Sequence, residues 1–240
     1  MIQHAPDVVL RRMIGLAGML LPPMLVIGGW VACPRVAPQR SMSAYYYTDM
    51  RDLFVLVLFA LGVFLVCYCR HYDDRGLPVD DPQQDGVGRW AGRERLVSTW
   101  AGVLAICVAV FPTLPKEEAP ISDWMGVAGI HIVSAVFFLS LTGWIAYRYF
   151  PMSDPSPKHK RLYKGLGWTI WVAVLLAIVL GFLKQATTIP SLLADHGVLI
   201  AECLAVFAFG IAWFVNSRDA LSTNSTDTRN GTPPAAEDGE

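Results

Sequence analysis

A glutamate, a histidine and an adjacent Arg-Asp pair stand inside or at the edges of long apolar runs, and any chemistry in this chain starts from them. Glu202 lies about ten residues beyond Leu192 in a run that continues to Val215. At about 1.5 Å per residue, a helix would carry it roughly 14 Å in from the start of that run. Asp195, Phe209 and Trp213 share its helical face, being seven and eleven residues away. His131 lies about six residues past Met125, on one face with Ser134, Phe138 and Thr142. Arg51 and Asp52 open a further apolar run, Ser43, Tyr46 and Tyr47 precede them, and His196 follows Asp195. An ion at the centre of a bilayer costs about 3 kcal/mol on insertion scales, so such groups are paired, neutralised or functional.

These residue types admit several chemistries. Asp52, His131 and Glu202 at successive depths suit a proton or ion pathway. Arg51 and Asp195, with a mouth of Ser43, Tyr46, Tyr47 and His196, suit a small polar ligand or a lipid headgroup. A hydrolase would take Ser134 or Ser43 as nucleophile with His131 and Asp52, but no nucleophile-elbow motif surrounds either serine. Neither HxxxH nor HExxH spacing occurs, so no metal ligand set is expected and no cofactor is implied. The plain alternative is that the polar groups fix helix register, as a structural partner of another membrane protein would need. The cysteines are five in number, an odd count, and lack CxxC spacing, which makes them apolar packing residues.

The elements that must position these groups follow from composition. Hydrophobic residues make up 54% of the 240 and charged residues 16%, against about 25% charged in globular chains. A water-soluble surface cannot be built from that mixture, and lipid is the expected solvent. Six apolar stretches are near spanning length: 13–33, 52–69, 96–113, 125–149, 166–184 and 193–215. Backbone groups in lipid must bond within their own segment, so each is expected to be helical. The fold class is all-α, a polytopic transmembrane bundle of six helices. The first stretch is too long for a signal-peptide core and is taken as an uncleaved helix. Pro22-Pro23 inside it predicts a kink.

Loop charge orients the bundle. Fourteen of the 19 Lys and Arg residues fall on the side of both termini, and five on the other. The positive-inside rule then places both termini in the cytoplasm of a multi-pass cell-membrane protein. Residues 1–12 form the cytoplasmic N-terminus and 13–216 the membrane domain. The Ser/Thr/Asn/Pro-rich stretch 217–240 reads as a disordered tail. A net charge of −1 without a basic stripe sets nucleic acid aside. The expected partners are the bilayer and a lipid or small polar ligand.

Four strings carry a resemblance. They are Ser43 to Val55 (SAYYYTDMRDLFV), Phe111-Pro112-Thr113, His131 to Ala135 (HIVSA) and Glu202 to Trp213 (ECLAVFAFGIAW). Together they resemble a family of bacterial six-helix integral membrane proteins with no assigned activity, over roughly residues 40 to 215. That likeness implies the fold and the important positions, but no reaction. A weaker similarity is to the membrane hydrolases of the ceramidase and adiponectin-receptor group, which set Ser, Asp and His around zinc. This chain lacks the paired histidines of their last helix and one of their seven spans.

Overall fold

The computed structural model describes residues 5–32, 38–68, 84–113, 126–153, 156–186 and 191–230. All secondary structure among them is helical. Helix α1 spans Ala5–Ala32, α2 Arg51–Cys67 and α3 Gln84–Val110. Helix α4, Val127–Trp144, runs through a π segment, Ile145–Tyr149, into the single turn α5, Phe150–Ser153. Helix α6 covers Pro157–Ala186 and α7 covers Ser191–Asn230. A 3-10 turn, Ser43–Tyr47, precedes α2.

Four of these are long and apolar enough to cross a membrane: Val8–Val31, Val127–Met152, Pro157–Leu183 and Asp195–Ser217. Helix α2 has 17 residues, about 26 Å, slightly less than the roughly 20 residues a span needs. In α3 the apolar part begins only after Arg93, Glu94 and Arg95. Helix α1 runs on through Pro22 and Pro23. Helix α7 continues to Asn230, over part of the stretch whose composition suggests a tail, and 231–240 lie outside the described residues.

The helices pack in chain order, α1 on α2, α2 on α3, α3 on α4, α4 on α6 and α6 on α7. Helix α7 then returns to α1, the most extensive pairing, and closes the ring. Glycine makes the tightest approaches. A Cβ on Gly15 would sit 2.5 Å from the Phe214 backbone nitrogen, and one on Gly210 2.5 Å from that of Met19. Gly62 and Gly102 bring α2 onto α3 in the same way, since a Cβ on either would lie within 2.7 Å of the other's carbonyl oxygen. Close backbone approach through small residues is how helices associate where lipid removes the hydrophobic drive between them.

Aromatic rings fill the interior. Trp213, fully buried, lies edge-on to Tyr68 at 4.8 Å and to Phe150 at 5.2 Å between centroids. Phe209 continues the column to Phe138 at 6.0 Å. Outside, α6 presents Trp168, Val172, Leu175, Val179 and Phe182, each at least 41% exposed and three or four residues apart. A continuous apolar stripe of this kind faces lipid or a partner, since in water it would drive aggregation.

Candidate functional site

The segment before α2 is shaped by its own short polar side chains. Ser41 Oγ accepts the Ala44 N–H at 3.1 Å, and the Tyr45 N–H reaches the Met42 carbonyl at 3.2 Å. Thr48 Oγ1 donates to the Tyr45 carbonyl at 2.8 Å and accepts the Met50 N–H at 3.2 Å. Serine and threonine favour such local bonds, which here start the 3-10 turn and stop it before α2.

That turn lies across one end of the bundle as a lid. Met42 and Tyr45 are buried, at 5% and 2% exposure. Its seat on α1 is Gly28-Gly29: a Cβ on Gly29 would lie 2.9 Å from the Tyr45 ring, and one on Gly28 2.6 Å from Met50 Sδ. Against α7 the lid is held by two backbone bonds of opposite sense. The Leu199 N–H donates to the Arg40 carbonyl at 3.1 Å, and the Met42 N–H donates to Glu202 Oε2 at 2.5 Å. The second is charge-assisted whenever the carboxylate is ionised. Arg40 and Asp195 pair at 3.7 Å with both side chains about half exposed, where such pairs contribute less than about 1 kcal/mol. Burial raises the Tyr45 phenol above its ordinary 10.0, opposed by a hydrogen bond with the Gln39 backbone and reinforced by the nearby Cys203 thiol.

The other polar residues singled out in the sequence form a separate group. Helix α3 ends before Pro112, leaving carbonyls of its last turn without helical donors. His131, buried in α4, satisfies one of them: its Nδ1–H donates to the Phe111 carbonyl at 2.7 Å. Nearby, the Tyr47 hydroxyl donates to the Thr113 carbonyl. Burial, then the adjacent Tyr46, raises the Tyr47 phenol above its usual value. The Arg51 guanidinium lies 4.9 Å from the Tyr46 ring centroid and 3.4 Å from its hydroxyl. Ser134 is buried on the His131 face, Asp52 is exposed, and Ser43 bonds Ser41 through its hydroxyl at 3.2 Å. His196 is half buried, and its Nδ1 has no hydrogen-bond partner among the described residues. Among the described residues no hydrogen bond or ion pair joins Asp52 or His131 to Glu202, and no three His, Cys, Asp or Glu side chains cluster as a metal site would need.

A third polar group escaped the sequence reading. At the far end of α1, Arg11 is 7% exposed and donates to Asn216 Oδ1 at 3.2 Å. Its guanidinium lies 5.6 Å from the Tyr68 ring centroid, and the Tyr68 hydroxyl bonds Glu94 Oε1 at 3.3 Å. Arg11 Nε and Trp213 Nε1 are buried without partners among the described residues. The available signal was position: Arg11 lies inside the candidate span Val8–Val31 rather than before it. Its arginine type instead suggests a flanking topological charge. Comparison with known protein families, with curated proteins and with solved structures finds no match to this chain.

Proposed function

We propose that this chain is a six-span, non-enzymatic membrane protein with both termini in the cytoplasm, whose lid covers an acidic site at Glu202. That site takes a proton or a small cationic ligand from the outer side when the lid lifts. Helices α2 and α3 complete the six spans in this reading, because each packs backbone to backbone on the other within the ring. The fourteen-to-five distribution of basic residues supports the orientation.

The observation that carries the reading is the 2.5 Å bond from the Met42 N–H to Glu202. It is the sole hydrogen bond to this carboxyl among the described residues, and it comes from a lid, not from a helix. A carboxylate inside an apolar helix needs compensation, and here the compensating donor leaves with the lid. Lifting the lid therefore exposes an acceptor with unmet demand for a proton or cation. His131 is engaged by the Phe111 carbonyl and meets no acidic side chain among the described residues, so no observation favours the hydrolase alternative.

The test is amide hydrogen exchange over residues 41–50 in full-length protein in lipid nanodiscs, across pH and across a panel of alkali cations and small amines. Wild type is expected to change lid protection with pH or with one member of the panel. Glu202→Gln, which keeps an acceptor for Met42 but removes the charge, is expected to flatten that response with the fold intact. Equal responses in the two proteins would reduce Glu202 to a structural tie.

A further inference from the structure

Pro151 stands where a helix needs an N–H. In α-helical register that N–H would go to the Tyr147 carbonyl, and proline has none. The rod widens there: Ile145–Tyr149 is a π segment, and the Phe150 N–H reaches back five residues to the Ile145 carbonyl. Single π turns inside helices are rare and concentrate at functional sites. Beside this one lies a cavity of about 270 Å³ lined by Tyr147, Arg148, Pro151, Met152, Lys160 and Lys164.

Its chemistry is cationic. Lys160 and Lys164 are four residues apart on α6 and share a face. Among the described residues, none of the lining is acidic. The Lys164 ammonium is 6.0 Å from the Tyr147 ring centroid. Helix α6 starts here, with the Lys160 N–H on the Ser156 carbonyl at 3.1 Å, so the positive end of its dipole lies at the same level.

Its surroundings are those of a membrane boundary. The candidate span Val127–Met152 ends at the cavity and Pro157–Leu183 begins there. Trp168 stands 5.5 Å from Trp171, which is 5.5 Å from Tyr147, and Trp144 joins Trp171 at 6.3 Å. Trp144, Trp168 and Met152 are 44%, 57% and 50% exposed, so apolar surface continues outward from the cations. Aromatic rings of this kind settle at headgroup level.

We propose that this cavity binds the phosphate of an anionic membrane lipid, with Lys160 and Lys164 on the phosphate and the exposed tryptophans against its chains. Soluble phosphate shares the headgroup chemistry, but it has no use for the exposed tryptophans and Met152 beside the cations. In the orientation proposed above the site would face the cytoplasmic leaflet, but the site itself does not depend on that orientation.

The experiment is native mass spectrometry of the full-length protein released from mixed phosphatidylcholine and phosphatidylglycerol nanodiscs. Wild type is expected to retain phosphatidylglycerol selectively. Lys160→Gln and Lys164→Gln are each expected to lower that retention about fivefold, the effect of one cation near an anionic surface, and the two together to lower it further. The control is the double variant Lys158→Gln with Arg161→Gln, neighbours that do not line the cavity. It loses the same charge as the paired cavity variant and is expected to change retention less than about twofold. Pro151→Ala, which restores the helical donor, is expected to weaken retention without changing charge. Equal losses in the control and cavity pairs would overturn the site in favour of a diffuse field, as would unselective retention by wild type. Displacement of the lipid by inorganic phosphate at matched concentration would overturn the lipid assignment. Thermal midpoints of all variants verify folding, and lid exchange around Glu202 is expected to stay unchanged, which separates this proposal from the preceding one.

Discussion

The two ends of the α1–α7 pair each hold an ionisable side chain, half-buried Glu202 at one and buried Arg11 at the other, and they hold it differently. At one end Glu202 accepts a single bond from the Met42 N–H, 160 positions away in the chain, and Met42 belongs to a lid. At the other, Arg11 reaches Asn216, 205 positions away, from helix to helix, and lies over the Tyr68 ring. Lifting the lid means breaking a few backbone bonds and moving Tyr45 off Gly29. Freeing Arg11 means separating α1 from α7, whose backbones touch at Gly15 and Gly210. Uncovering Glu202 thus requires moving one turn, whereas freeing Arg11 requires parting two helices. Opening the lid would also lift Met42 and Tyr45 out of the core, a local event set against the parting of two helices.

The comparison breaks outright if α7 cannot reach α1. Gly210→Val would set a side chain 2.5 Å from the Met19 backbone nitrogen, and we expect a loss of about 4 kcal/mol or more, seen as absence of folded protein after extraction. Arg11→Met keeps the apolar stem but leaves Asn216 without its donor. It is expected to cost about 1–3 kcal/mol in thermal stability while lid exchange stays as in wild type. If the lid loosened equally, the two ends would not be independent.

Glu202→Ala sharpens the contrast from the other side. The Met42 amide is expected to exchange about tenfold faster, near 1.4 kcal/mol of local opening, with little change in global stability. Tyr45 gives the smallest effect, and its sign follows from burial. Its phenol holds its proton more tightly folded than unfolded, so its contribution is complete below pH 10.0 and is lost as pH rises through the folded value. Alkaline pH is therefore expected to raise exchange of residues 41–50 in wild type. Tyr45→Phe, which keeps the ring against Gly29, is expected to remove that alkaline component. An unchanged alkaline profile would mean that the phenol does not hold the lid.

Helix existence was legible in the sequence because it depends on local composition. The apolar length of 125–149, 166–184 and 193–215 corresponds to helices long and apolar enough to cross a membrane at Val127–Met152, Pro157–Leu183 and Asp195–Ser217. Helix ends were less legible: α3 begins at Gln84, twelve residues before its apolar stretch, and α7 runs on past Ser217. Backbone bonding continues wherever the chain tolerates it, and hydropathy does not mark where it stops. The polar residues were equally visible as types, since a carboxylate or imidazole among leucines stands out wherever it falls. Their grouping was not. His131 and Glu202 share an end of the bundle but serve different neighbours, a terminal carbonyl of α3 and an amide of the lid.

The sequence by itself determined the solvent, the helical class and the short list of expensive side chains, because each follows from a residue and its near neighbours. Only the tertiary structure decided that Glu202 would meet Met42, that Arg11 would meet Asn216, and that the Pro151 widening would open beside Lys160 and Lys164. The Met42 donor is a backbone N–H, which every residue but proline carries, so its choice leaves no mark in the sequence. It is made by the geometry that closes α7 on α1.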